Sequence, residues 1–153
     1  MDEFSLMLND ILVDIYKNVI TLEEKAIKNA SSRIKLSISE IHLLEAVSGG
    51  KNAGRTISEI AEILDITKPS VTVAVNKLEK KGYLEKHTCE SDLRSVRVFL
   101  TKEGAKVDAY HKYYHRFMVK SISDGLTDDE KKFLITTIGK LNNFFKDSIE
   151  KIK

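Results

Sequence analysis

The stretch from Thr56 to Thr101 constrains the fold more than any other part of the chain, because its start and stop signals leave little freedom between them. Thr56 with Glu59 has the spacing of a capping box, and Ile57 to Leu64 behind it forms a short helix offering Ile60, Ala61 and Leu64 for burial. Asp65-Ile66 makes a turn. Thr67 then caps a second helix in which Pro69, the only proline, sits in the first turn, where a missing N–H costs nothing. Gly82 supplies the left-handed residue beyond its end. Tyr83 to Thr88 and Val96 to Thr101 follow as two short segments, the second with Val96, Val98 and Leu100 alternating. Polar residues from Cys89 to Ser95 separate them, which predicts a β-hairpin with an exposed tip.

Helical periodicity dominates on either side. Phe4, Leu8, Ile11, Ile15, Val19, Leu22 and Ala26 fall at steps of three and four, marking one face of a long helix that runs to about Ala30. Ser37 with Glu40 opens a helix to Val47, ended by Gly49-Gly50. Thr101 caps a long helix to about Asp124, with Val107, Tyr110, Tyr114, Phe117 and Ser121 on one side. Thr127 with Glu130 caps the last, striped by Leu134, Ile138, Leu141, Phe145, Ile149 and Ile152. The fold class is therefore mainly α with a small β-hairpin wing: a winged helix-turn-helix with long N- and C-terminal dimerisation helices. One domain is expected over residues 1–153, in which 36–101 form a DNA-binding lobe and 1–35 and 102–153 the dimerisation helices. Those outer stripes exceed what one small lobe can cover, which points to a homodimer whose paired reading heads match successive major grooves of a palindromic site.

Composition narrows the function. The formal net charge of +2 does not by itself announce a nucleic-acid binder, but residues 66–99 carry Lys68, Lys77, Lys80, Lys81, Lys86, Arg94 and Arg97 against Glu79, Glu85, Glu90 and Asp92. No apolar run reaches the ~18 residues of a membrane span, and the start Met1-Asp2-Glu3 lacks the basic opening of a secretion signal, so no membrane partner is expected and the expected location is cytoplasmic. The single cysteine, Cys89, excludes an internal disulfide. There is no phosphate-binding glycine loop or serine nucleophile elbow, and in His111-Lys112-Tyr113-Tyr114-His115 a lysine stands where a zinc-protease helix carries its glutamate base, so no enzyme is expected.

The outer side of the helix after Thr67 presents Lys68, Pro69, Ser70, Thr72, Val73, Asn76 and Lys77. Ser70 and Thr72 suit base edges or phosphates, Lys68 and Lys77 suit phosphates, and Val73 suits a thymine methyl. In the wing, Arg94 is placed to enter a narrow minor groove, with Asp92 and Arg97 beside it in sequence. His111 and His115, four apart on one helix face, have a spacing that suits two ligands of one ion, or a hydrogen-bonded pair without any ion.

Nearly the whole chain resembles the MarR family of bacterial transcriptional regulators. The resemblance is carried by Leu36-Ser37-Ile38-Ser39-Glu40, Thr56-Ile57-Ser58-Glu59-Ile60-Ala61, Leu78-Glu79-Lys80-Lys81-Gly82-Tyr83-Leu84, Asp92-Leu93-Arg94 and Leu100-Thr101-Lys102-Glu103-Gly104. Leu126 to Glu130 and the stretch Glu40-Ile41-His42 with His111 and His115 are most similar to the branch that represses fatty-acid synthesis genes. The resemblance implies a repressor modulated by a ligand, in that branch a long acyl group on its carrier protein, with Asp92 orienting Arg94. Many family members have arginine where Val73 stands. Zinc-responsive members bind metal through positions matched by Glu24, His42, His111 and His115, which leaves zinc as a possible cofactor and a metal-responsive regulator as the alternative function. Ala30 and Ile41 stand where those members have ligands of a second site. A helical interaction protein that does not bind DNA is the remaining alternative.

Overall fold

The computed structural model describes residues 2–30, 35–50, 54–89 and 92–152, the side chains of 28–30, 89 and 92–95 excepted. Its elements in chain order are α1 (Glu3–Ala30), α2 (Ile38–Ser48), β1 (Arg55–Thr56), α3 (Ile57–Leu64), α4 (Lys68–Lys80), β2 (Leu84–Cys89), β3 (Asp92–Leu100), α5 (Lys102–Asp124) and α6 (Asp128–Ile152). Residues 1–113 form one compact unit and 114–153 a second, so the division falls within α5.

In the first unit, local signals set the helix starts. Ser37 and Thr56 each accept the backbone N–H three residues on, while Glu40 and Glu59 reach back to the cap amides at 2.9 and 2.6 Å. Each start thus satisfies two amides that the helix itself cannot. The turn between α3 and α4 is made by Asp65, whose left-handed φ of 50° reverses the chain. Thr67 caps α4, with Pro69 in its first turn. At its far end Gly82 adopts φ 82°, and the amides of Gly82 and Tyr83 close onto Glu79 and Leu78.

The core is built where these helices meet the sheet. Ile41, Leu43, Leu44 and Val47 of α2, Ile60 of α3, Val71, Val75 and Leu78 of α4, and Leu84 and Val98 of the sheet are buried. Ile27 of α1 and Val107 of α5 join the same cluster. The first turn of α5 lies so close to the connection between α4 and β2 that a Cβ on Gly104 would run into the Tyr83 carbonyl oxygen.

Two features depart from the sequence expectation. The sheet has three strands, ordered β1-β3-β2 and antiparallel, because the two residues Arg55 and Thr56 pair with Val98 and Arg97. The hairpin is also longer than the hydrophobic alternation indicates. Cys89 pairs with Asp92 across a bulge, so the segment expected as a tip is largely strand, and the backbone of Arg94 belongs to β3.

In the second unit, Thr127 and Glu130 form the expected reciprocal cap of α6. No residue of α6 is buried, and Leu134, Ile138, Phe145, Ile149 and Ile152 are exposed along it. In the first unit, Phe4, Ile11, Ile15 and Leu22 are exposed along α1. None of the described helices is long and apolar enough to cross a membrane.

Candidate DNA interface

The inward residues of α4 fix what its outer face can offer. With Val71, Val75 and Leu78 buried, Pro69, Thr72, Val73 and Asn76 align at helical spacing on the opposite side, flanked by Lys68, Ser70 and Lys77. All seven are exposed, and Val73 is 69% accessible. A thymine methyl is the major-groove feature that an apolar side chain at this position could contact.

Several of these side chains are already oriented. The Thr72 hydroxyl donates to the Lys68 carbonyl at 3.0 Å, so it faces outward with its methyl and its oxygen lone pairs. Ser70 and Thr67 share a hydrogen bond of 2.9 Å between their hydroxyls. Lys77 pairs with Glu40 at 3.0 Å while keeping 62% of its side chain in solvent.

Glu40 joins the start of α2 to the end of α4. Its carboxylate, 8% exposed, receives Lys81 on both oxygens at 2.8 and 2.9 Å, the Ser37 amide at 2.9 Å, and Lys77. Burial pushes its pKa up, but the hydrogen bonds from Lys81, Ser37 and Lys77 together outweigh burial and bring it from 4.5 to about 2. The carboxylate therefore stays ionised and holds the reading helix in place.

In the wing, the backbone places Asp92 and Arg94 on β3, while their side chains lie outside the described residues. Arg97 is directed elsewhere than expected for a groove contact. It is half-buried, donates to the Gly54 carbonyl at 3.3 Å and lies 3.8 Å from Glu59. Lys86 is the residue that sequence reasoning passed over: from β2 it donates to Asn76 Oδ1 at 2.8 Å and pairs with Glu79 at 2.8 Å. The available signal was strand alternation, since Lys86 shares a face with the buried Leu84 and so points toward α4.

Behind this surface, α2 and α5 meet along a polar seam. Ser48 donates to Asp108 at 2.7 Å, and Lys112 donates to both at 2.6 and 2.8 Å. One turn along, the His42 and His111 rings lie 5.6 Å apart, and Glu45 is 3.7 Å from His111 Nδ1. Glu23 from α1 completes a group with His42 and His111 whose ligand atoms all lie within 4.8 Å of one another. The carboxylate brought to these histidines is thus Glu23, which is buried, whereas the expected Glu24 is exposed. Two imidazoles and a carboxylate at this separation fit the donor set of a zinc ion. His115 belongs to the second unit, where its ring lies 6.0 Å from that of Tyr114.

A capped helix-turn-helix followed by an antiparallel wing defines the class: a winged helix-turn-helix protein. A MarR family profile matches residues 34–95. The crystal structure of Streptococcus pneumoniae FabT in complex with DNA is 33% identical, with a TM-score of 0.84 over 94% of this chain and 98% of that one. This chain belongs to the MarR family, whose members are non-enzymatic DNA-binding transcription regulators. The fold is shared with a MarR family transcription regulator, SP03579, at 17% identity and TM-score 0.77, over 97% of this chain and 95% of that one. It is shared also with the S. aureus MepR-DNA complex at 18% identity and TM-score 0.65, over 86% and 96%. Among curated proteins, the uncharacterized HTH-type transcriptional regulator YhjH of Bacillus subtilis (strain 168) is 34% identical over 107 residues, or 67% of this chain, and the match spans 59% of YhjH.

Proposed function

We propose that this protein is a homodimeric transcriptional repressor that binds a palindromic operator through α4 and the wing. The observation that carries the reading is the outer face of α4, where Lys68, Pro69, Ser70, Thr72, Val73, Asn76 and Lys77 stand exposed in a helix capped at both ends and locked to α2 through Glu40. Streptococcus pneumoniae FabT is bound to DNA in its crystal structure, and its likeness to this chain supports the same partner here. Pairing of two copies through the exposed apolar stripes of α1 and α6 is the simplest way to remove them from water. Arg94 and Asp92 contribute from β3, and the reading expects Arg94→Ala to weaken operator binding and flatten its salt dependence while leaving the dimer folded. Unchanged affinity across a salt series removes Arg94 from the interface.

Control of fatty-acid synthesis genes, with an acyl group on its carrier protein as the modulating ligand, is the target the family resemblance favours. A ligand that prefers one spacing of the two lobes shifts the binding equilibrium in proportion to that preference. A gel-shift assay on the promoter of the protein's own gene tests this, run with and without acyl carrier protein. Loss of all duplex binding at low salt refutes the DNA-binding reading, and indifference to acylated carrier refutes the ligand.

The group Glu23, His42 and His111 favours a second reading, a zinc-responsive regulator. When bound, zinc would cross-link α1, α2 and α5 of the first unit through these side chains. Metal analysis of untagged protein tests it, and metal at background with no effect of zinc on melting temperature refutes it.

A further inference from the structure

Asn76 stands on the outer face of α4 in line with Thr72 and Val73, and its side-chain carbonyl already accepts a hydrogen bond from the wing. Lys86 Nζ lies 2.8 Å from Asn76 Oδ1 and 2.8 Å from Glu79 Oε2. An ammonium group has hydrogens and no lone pair, so the atom facing it must be the amide oxygen. The oxygen keeps a second lone pair but its end of the amide is turned toward Lys86, so the NH2 is the end turned away from the wing. Glu79 holds the lysine from the other side, and Lys86 itself is anchored in β2, paired with Val98 of β3.

We infer that Lys86 is a positioning residue that holds the Asn76 carbonyl turned toward the wing, so that Asn76 presents its amide NH2 to the major groove and selects a keto base, guanine or thymine. A freely turning asparagine reads adenine with both ends, accepting from N6 and donating to N7. With the oxygen tied back, adenine loses one of those two bonds and cytosine presents an amino group to another donor. Guanine offers N7 and O6, and thymine offers O4. The wing thus sets the base preference of the reading helix without touching the base. This rests on the DNA-binding reading above and assigns it one position of the operator.

The test is selection from a pool of randomised double-stranded DNA, with the bound duplexes sequenced for the wild-type dimer, Asn76→Ala, Lys86→Met and Lys86→Arg. Wild type should enrich guanine or thymine at one symmetry-related pair of positions, with other bases disfavoured about fivefold to a hundredfold. Asn76→Ala should lose preference at that pair alone, which locates it. Lys86→Met should admit adenine there and keep the preferences elsewhere, whereas Lys86→Arg, still a donor, should restore the wild-type choice. A lysine with a merely structural role would weaken all duplexes alike in Lys86→Met and leave the order of bases unchanged, which overturns the inference. Adenine selected by the wild type, or an Asn76→Ala consensus identical to wild type, overturns it too. A wild type that enriches no duplex overturns the DNA-binding reading itself.

Discussion

Replacing Glu40 with glutamine should make the stability of this protein lose much of its dependence on acid. In the native chain the carboxyl has a pKa of about 2 against 4.5 in an unperturbed chain. A group whose pKa is lowered by folding contributes its full stabilisation above the unfolded value, and the contribution disappears as pH falls toward the folded one. At about 1.4 kcal/mol per pH unit, the gap from 4.5 to about 2 corresponds to at most about 3.5 kcal/mol. Solvent reaches 62% of the Lys77 side chain and 30% of Lys81, so screening brings the expected value nearer 2 kcal/mol. Urea denaturation of wild type and Glu40→Gln, at equal protein concentration, should therefore show the variant less stable by about 2 kcal/mol at pH 6.5. The two proteins should converge as the pH approaches 2.5, because the protonated carboxyl then resembles the amide. Parallel stability curves from pH 6.5 to 2.5 would refute the assignment of Glu40 as the ionised link between α2 and α4.

Other outcomes follow from single contacts. Lys68→Ala should weaken duplex binding by similar factors for all sequences and reduce the slope of log Kobs against log salt by roughly 0.9 for each protomer engaged, read by fluorescence anisotropy at several salt concentrations. Gly82→Ala should cost about 1 kcal/mol in urea melts, since its φ of 82° suits glycine and nothing else crowds the site, whereas Gly104→Ala should cost more because the Tyr83 carbonyl blocks the added carbon. Equal losses for the two would contradict the close approach. Glu23→Gln should abolish any zinc-induced rise in melting temperature, and Glu24→Gln should preserve it, as judged by thermal shift. Lys112→Met should lower stability by about 2 kcal/mol by taking the cation from the 6%-exposed Asp108, with unchanged melting as the contrary result.

What the sequence made legible was whatever depends on near neighbours. Ser37/Glu40, Thr56/Glu59 and Thr127/Glu130 lie within one helical turn, so each cap is complete in the local string. Gly82 likewise marks its own turn. Strand β1 escaped notice because two residues carry no alternation, and Thr56 serves both as strand and as helix cap. The long hairpin escaped because the run from Cys89 to Ser95 has no apolar alternation in the sequence to announce a strand. Glu23 was hidden by helical phase, since adjacent residues on a helix point about 100° apart. Its spacing from the buried Ile27, one turn later, is what assigns it to the inside. The bond from Lys86 to Asn76 joins a strand to a helix face, and only the tertiary arrangement reveals it.

The seam of Ser48, Asp108 and Lys112 has a mechanical implication. Aliphatic surfaces tolerate small displacements with gradual loss of contact, whereas three directional bonds that share one small triangle of atoms weaken together when that triangle is sheared. Displacement of α5 along α2 would therefore disturb all three contacts at once, which favours discrete relative positions of these two helices over a continuous slide.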